Sequence, residues 1–248
     1  AIQLAIGLFF AAILSHVPHT YFQGILDTVP IMFKVCFFLI MLLTVLNSIT
    51  RTRVVVMVIV ATSCVMAIHA LIQQKTGYGF TGQEPIYVWT EKSGLVRRTM
   101  FFGIFSDPND LAQMLAAAIP LAFAIPRRLN FAVLVPVLGA VTLLFLALLS
   151  THSRGGMVVL IATGGVMAML VLPARWMPWL IIAGLLGFLG MCAFQAGPMM
   201  DASARERVVY WGLGNYAFKS NPLFGIGYGM FWQVAGDRAA HNAFVTCY

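Results

Sequence analysis

Carboxylates are scarce in this chain: eight Asp and Glu stand among 248 residues, beside fifteen Lys and Arg. Charged residues make up 9% and hydrophobic ones 60%, whereas soluble domains carry roughly 25% charged residues. The shortage excludes a soluble globular domain and points to a polytopic membrane protein. It also removes several chemistries. No paired carboxylates suggest a glycosidase, and no acidic cluster suggests a Mg²⁺ site. The basic residues form no clustered face, which argues against nucleic acid. Cysteine is sparse as well. Cys36, Cys64 and Cys192 lie inside apolar runs and Cys247 near the end, without metal-like spacing; they read as small hydrophobes, and nothing supports a disulfide. His16 and His19 lack a third ligand for zinc.

What remains is hydrophobic length. The expectation is an all-α, multi-pass transmembrane domain covering 1–248, with seven complete spans and the start of another. The apolar blocks run from about Ile2 to Val17, Ile31 to Ile49, Val54 to Ile72, Asn109 to Ile125, Phe131 to Leu149, Met157 to Leu172 and Met177 to Phe194. Each approaches the ~20 residues that cross a bilayer as helix, the form that pairs its own backbone groups. Between the first two blocks, a turn is expected to hold His19, Asp27 and Pro30. Longer connectors fall at about 73–107 and 195–241. The chain begins inside an apolar stretch without an initiator Met or a basic leader. It stops where Ala243-Phe244-Val245 opens another apolar run, so it reads as a fragment.

Charge sets the expected orientation. The short connectors on one side are purely basic, with Arg51 and Arg53, Arg127 and Arg128, and Arg175, while the acidic residues fall on or at the edge of the other side. Short basic loops face the cytoplasm, which makes the other face periplasmic or extracellular. There, Thr151-His152-Ser153-Arg154-Gly155-Gly156 puts an arginine between two spans. A charge in such a place is costly and usually functional. Asp107-Pro108 reads as an N-cap followed by proline at the first helical position. Ser203 to Glu206 has capping-box spacing, with a helix from about Ala204 to Lys219 ended by Asn221-Pro222. The glycine-rich Phe224–Gly229 turn lacks the lysine and context of a nucleotide loop.

The candidate chemistry gathers on that outer face. Arg154, Arg205 and Arg207 offer planar forks suited to phosphate; His241 offers a general base, and Asn242 a side chain to orient that imidazole or hydrogen-bond the substrate. His152 is a second candidate beside Arg154. Plainer readings stay open: Arg154 pairing with an acid or a lipid phosphate, Arg205 on a solvated helix face, Arg207 stacking on Trp211, and His241 as an interfacial residue. His16, His19, His69 and, on the plainer reading, His152 are structural or interfacial.

Five short stretches, taken together and in order, resemble the O-antigen ligase and polymerase superfamily of bacterial membrane glycosyltransferases. They are Asp107-Pro108-Asn109-Asp110-Leu111-Ala112, Ser153-Arg154-Gly155-Gly156, Arg207-Val208-Val209-Tyr210-Trp211, Pro222-Leu223-Phe224-Gly225-Ile226-Gly227-Tyr228-Gly229-Met230-Phe231, and His241-Asn242-Ala243-Phe244. The resemblance covers roughly Phe102 to the end; earlier residues match in hydropathy alone. It implies a GT-C-like helical fold in the bacterial inner membrane and a periplasmic active face. It further implies transfer of a glycan from undecaprenyl diphosphate, without a metal or other cofactor, to a lipid, polysaccharide or protein acceptor. It assigns the diphosphate to Arg154 and Arg207 and the acceptor proton to His241, and gives Asp107 and Asn109 a recurring motif of unassigned role. The rival expectations are a transporter or flippase of a lipid-linked or anionic sugar, which calls for inverted repeats, and a non-catalytic scaffold for envelope assembly.

Overall fold

The computed structural model describes residues 2–90, 94–126, 130–195 and 202–236. Among them the architecture is helical: α1 Ile2–Leu14, α2 Phe22–Val45, α3 Ile49–Thr76, α4 Pro108–Ala124, α5 Phe131–Ser150, α6 Arg154–Val171, α7 Met177–Gln195, α8 Ala202–Ser220 and the short α9 Trp232–Ala235. One antiparallel hairpin, β1 Ile86–Thr90 and β2 Gly94–Arg98, pairs Ile86 with Arg98 and Thr90 with Gly94.

Five helical segments are long and apolar enough to cross a membrane: Ile2–His19, Phe22–Val45, Ile49–Thr76, Phe131–Ser150 and Arg154–Val171. The expected count of seven is thus met in part. The fourth expected span, α4, has 17 residues, and the apolar stretch described in the seventh is Met177–Gly187. Two other expectations change. Asp27 and Pro30 do not form a turn, because α2 starts at Phe22 and carries both inside it; Gln23 Nε2 donates to Asp27 Oδ1 one helical turn on, at 3.0 Å. Ser203 is not an N-cap, since α8 already begins at Ala202. The predicted boundaries of α4, α5 and α7 hold to within a residue or two.

The chain divides into two compact units, 1–47 with 196–248, and 48–195. The second is built around α4, which packs on α3, α5 and α6. Leu111, Ala112, Leu115, Ala116, Ala118, Ile119 and Ala122 of α4 are all buried. Alanines at these positions let neighbouring backbones approach, which is how helices gain packing where hydrocarbon removes the usual hydrophobic drive. Local signals set the helix ends. Ser48 accepts from the Arg51 N–H, Asp107 from Asn109, Asn130 from Val133 and Ser153 from Gly156, each as an N-cap. Gly77 at φ +88° closes α3 in the left-handed conformation.

In the first unit α1 and α2 form an antiparallel pair joined by a single 3₁₀ turn, Val17–His19. The segment after α8 folds onto that turn. His19 Nε2 lies 2.8 Å from the Gly225 carbonyl, and the Tyr228 N–H donates to Ser15 Oγ at 2.9 Å. Gly225, Gly227 and Gly229 have φ of +65°, +101° and +73°, so the glycines meet a conformational need. At Gly227 space is limiting too: an added Cβ would stand 3.0 Å from His16 Nδ1.

Candidate functional site at the hairpin end of residues 48–195

In the 48–195 unit, the end of α3, the hairpin, the start of α4 and the α5–α6 turn meet at one end. The Asn109 carboxamide oxygen is its centre. It accepts from Ser153 Oγ at 2.8 Å and from Arg98 Nη2 at 3.0 Å. Arg98 Nε also donates to the Thr151 carbonyl at 3.0 Å, so one guanidinium ties strand β2 to both α4 and the α5–α6 turn. Ser153 Oγ in turn accepts the Gly156 N–H at 3.2 Å. Asp107 Oδ1 accepts the Asn109 N–H at 2.6 Å, which fixes the backbone from which the carboxamide projects.

The glycines of the Arg154 turn now have a physical reason. A Cβ on Gly156 would stand 2.5 Å from Ala112 Cβ and 2.8 Å from Leu148 Cδ1. Gly156 is therefore where α6 touches α4 and α5. The stretches beginning at Asp107 and at Ser153 are two halves of one contact, a packed pair of small residues beneath a hydrogen-bonded pair of polar ones. Arg154 is the first residue of α6 and is solvent-exposed, at the end of the helix where an anion is favoured. His152 precedes it with φ +49°, a left-handed conformation in which histidine is enriched among non-glycine residues. Its side chain is exposed, yet desolvation by the surrounding chain, and then the Arg98 guanidinium, lower its pKa from 6.5. At neutral pH the imidazole is uncharged.

Around this node lies a buried polar framework. Thr99 and Ser150 share a hydroxyl hydrogen bond at 2.8 Å, and the Thr99 N–H reaches the Ser150 carbonyl. Gln73, fully buried, accepts from Met100 N–H and donates to the Gln83 carbonyl. His69 is also fully buried, with the rings of Phe80, Phe101 and Phe102 edge-on to it at 4.9–5.2 Å. Its Nδ1 accepts the Phe80 N–H at 3.1 Å, so the proton of the neutral ring is on Nε2. His69 is a structural residue, in line with its reading from sequence, and so are His16, paired with Thr28 Oγ1 at 2.9 Å, and His19.

The structure thus brings together Asp107, Asn109, His152 and Arg154. Arg205 and Arg207 lie on α8, in the other unit, with Arg207 half-buried. His241 and Asn242 lie outside the described residues. No group of three or more His, Cys, Asp or Glu side chains able to hold a metal occurs among the described residues. Arg98 is the member of this node that sequence reading passed over. It sits in what reads as a long irregular loop, and nothing in the order of apolar and polar residues from Trp89 to Arg98 singles it out. Comparison with family models, with curated proteins and with solved structures finds no match to this chain.

Proposed function

We propose that this chain is a multi-pass membrane glycosyltransferase of the O-antigen ligase or polymerase type. On this reading it has seven spans, and lies in the bacterial inner membrane with the hairpin end periplasmic. It transfers a glycan from undecaprenyl diphosphate to a lipid, polysaccharide or protein acceptor. The observation that carries the reading is the junction at Asn109. Two of the stretches that resemble the superfamily, 44 residues apart in the chain, are joined by the Ser153–Asn109 hydrogen bond. That junction presents Arg154 in the exposed first turn of α6.

The chemistry follows from charge. The acceptor hydroxyl oxygen forms a bond to the anomeric carbon of the donor sugar. The bond from that carbon to the diphosphate oxygen breaks, and its electron pair leaves with the lipid diphosphate. Guanidinium groups fixed at a partly dry surface stabilise that developing charge, a role given to Arg154 and Arg207. The hydroxyl proton passes to His241. Arg98 holds the Arg154 turn in place and is a positioning residue.

The test is direct. Full-length purified protein is incubated with undecaprenyl-diphosphate oligosaccharide and candidate acceptors, and products are identified by mass. Arg154→Ala and Arg207→Ala are each expected to slow transfer by roughly 10²–10³-fold, and His241→Ala by roughly 10²–10⁴-fold, with expression unchanged. Full activity in all three variants ends this mechanism. Sugar flux into vesicles without any transfer product favours a transporter instead.

A further inference from the structure

At the other end of the 48–195 unit, α3, α4 and α5 part to leave an apolar groove of about 530 Å³. It is lined by Val60 of α3, Ala122 and Pro126 at the end of α4, and Ala132, Pro136 and Ala140 along one face of α5. From Ala132 to Ala140 it follows α5 for about 12 Å. Among the described residues no polar side chain lines it, and ordered water needs polar partners, so hydrocarbon is its natural filling in a membrane. The volume lies within the roughly 300–1,000 Å³ of ligand sites.

Charge at its mouth selects among lipids. Arg53 is seven residues before Val60 on α3, hence on the same helix face and about 10 Å nearer the membrane surface. The described carboxylates of this unit, Glu84, Asp107 and Asp110, all belong to the hairpin-end connector and the first turn of α4. The helix period therefore puts Arg53 on the groove-lining face of α3, and these carboxylates lie at the far end. Basic residues between spans draw anionic headgroups, with each nearby cation adding about a fivefold preference.

We infer that this groove is a binding site for an anionic glycerophospholipid, one acyl chain lying along α5 from Ala140 to Ala132 and the phosphate meeting Arg53. The site is separate from the proposed transfer chemistry and does not depend on it. The experiment uses the full-length protein in nanodiscs containing trace phosphatidylglycerol or phosphatidylcholine, each with a photoreactive diazirine on one acyl chain; labelled peptides are mapped by mass. Labelling is expected to concentrate on 122–140, about fivefold stronger with phosphatidylglycerol. Arg53→Gln should remove that preference while leaving the labelled position unchanged, and Ala132→Phe should cut labelling there with both lipids. Label spread evenly over the lipid-facing helices overturns the site. Equal labelling by the two headgroups in the unaltered protein overturns its selectivity, and a preference that survives Arg53→Gln overturns the role of Arg53.

Discussion

At its hairpin end the 48–195 unit is knitted by polar side chains. Arg98, Thr99, Asn109, Ser150 and Ser153 are linked by hydrogen bonds across four chain segments. At its opposite end α3, α4 and α5 part around an apolar groove lined by Val60, Ala122 and Ala140. The difference shows where this unit invests specificity. Hydrogen bonds with fixed partners define a geometry to a few tenths of an ångström, as a site for directed chemistry requires. An apolar groove defines only a shape, and adapts to what fills it.

That contrast is open to experiment. The largest effect on the fold is expected from Asn109→Leu, which takes one acceptor from both Arg98 and Ser153. Loss of a hydrogen bond to a charged group costs about 1.5–3 kcal/mol, so unfolding of the purified protein in detergent should require that much less free energy, and Asn109→Asp should restore most of it. An unchanged midpoint for Asn109→Leu would mean that the node holds nothing together. Gly156→Ala comes next. Its methyl group has no room against Ala112 and Leu148, and overpacking of this kind costs about 1–3 kcal/mol; the same melt reads it. A smaller effect is expected from pH. The His152 pKa is lowered from 6.5 in the folded state, so the folded form resists protonation more than the unfolded form. That contribution is absent above about pH 6.5, and stability is lost as pH falls below it. His152→Gln should flatten this slope in melts between pH 7 and 5. The smallest change should come from Ala132→Phe in the groove, where the side chain is exposed and stability should move by no more than about 0.5 kcal/mol. A large loss there would erase the contrast between the two ends.

Much of the helical plan was legible. Asp107 before Pro108 and the long apolar blocks are local signals, and local signals survive in one dimension. The hairpin was not legible, because Ile86–Thr90 and Gly94–Arg98 are five-residue strands inside a connector rich in glycine and charge. The early start of α2 was missed because Pro30, a frequent helix breaker, sits within it. Arg154 was singled out from sequence for its charge. Its supports were not, since Arg98 is 11 residues from Asn109 and 53 from Thr151, and no periodicity links such positions.

The sequence by itself determined that apolar length would be spent on helices, because backbone groups in hydrocarbon must pair within their own segment, and where α4, α5 and α7 begin and end. Only the tertiary structure decided that Asn109 would join Arg98 to Ser153, that Gly156 would meet Ala112 and Leu148, and that α3, α4 and α5 would leave a groove. Those outcomes depend on which helix faces meet, and that is fixed by packing among residues far apart in the chain.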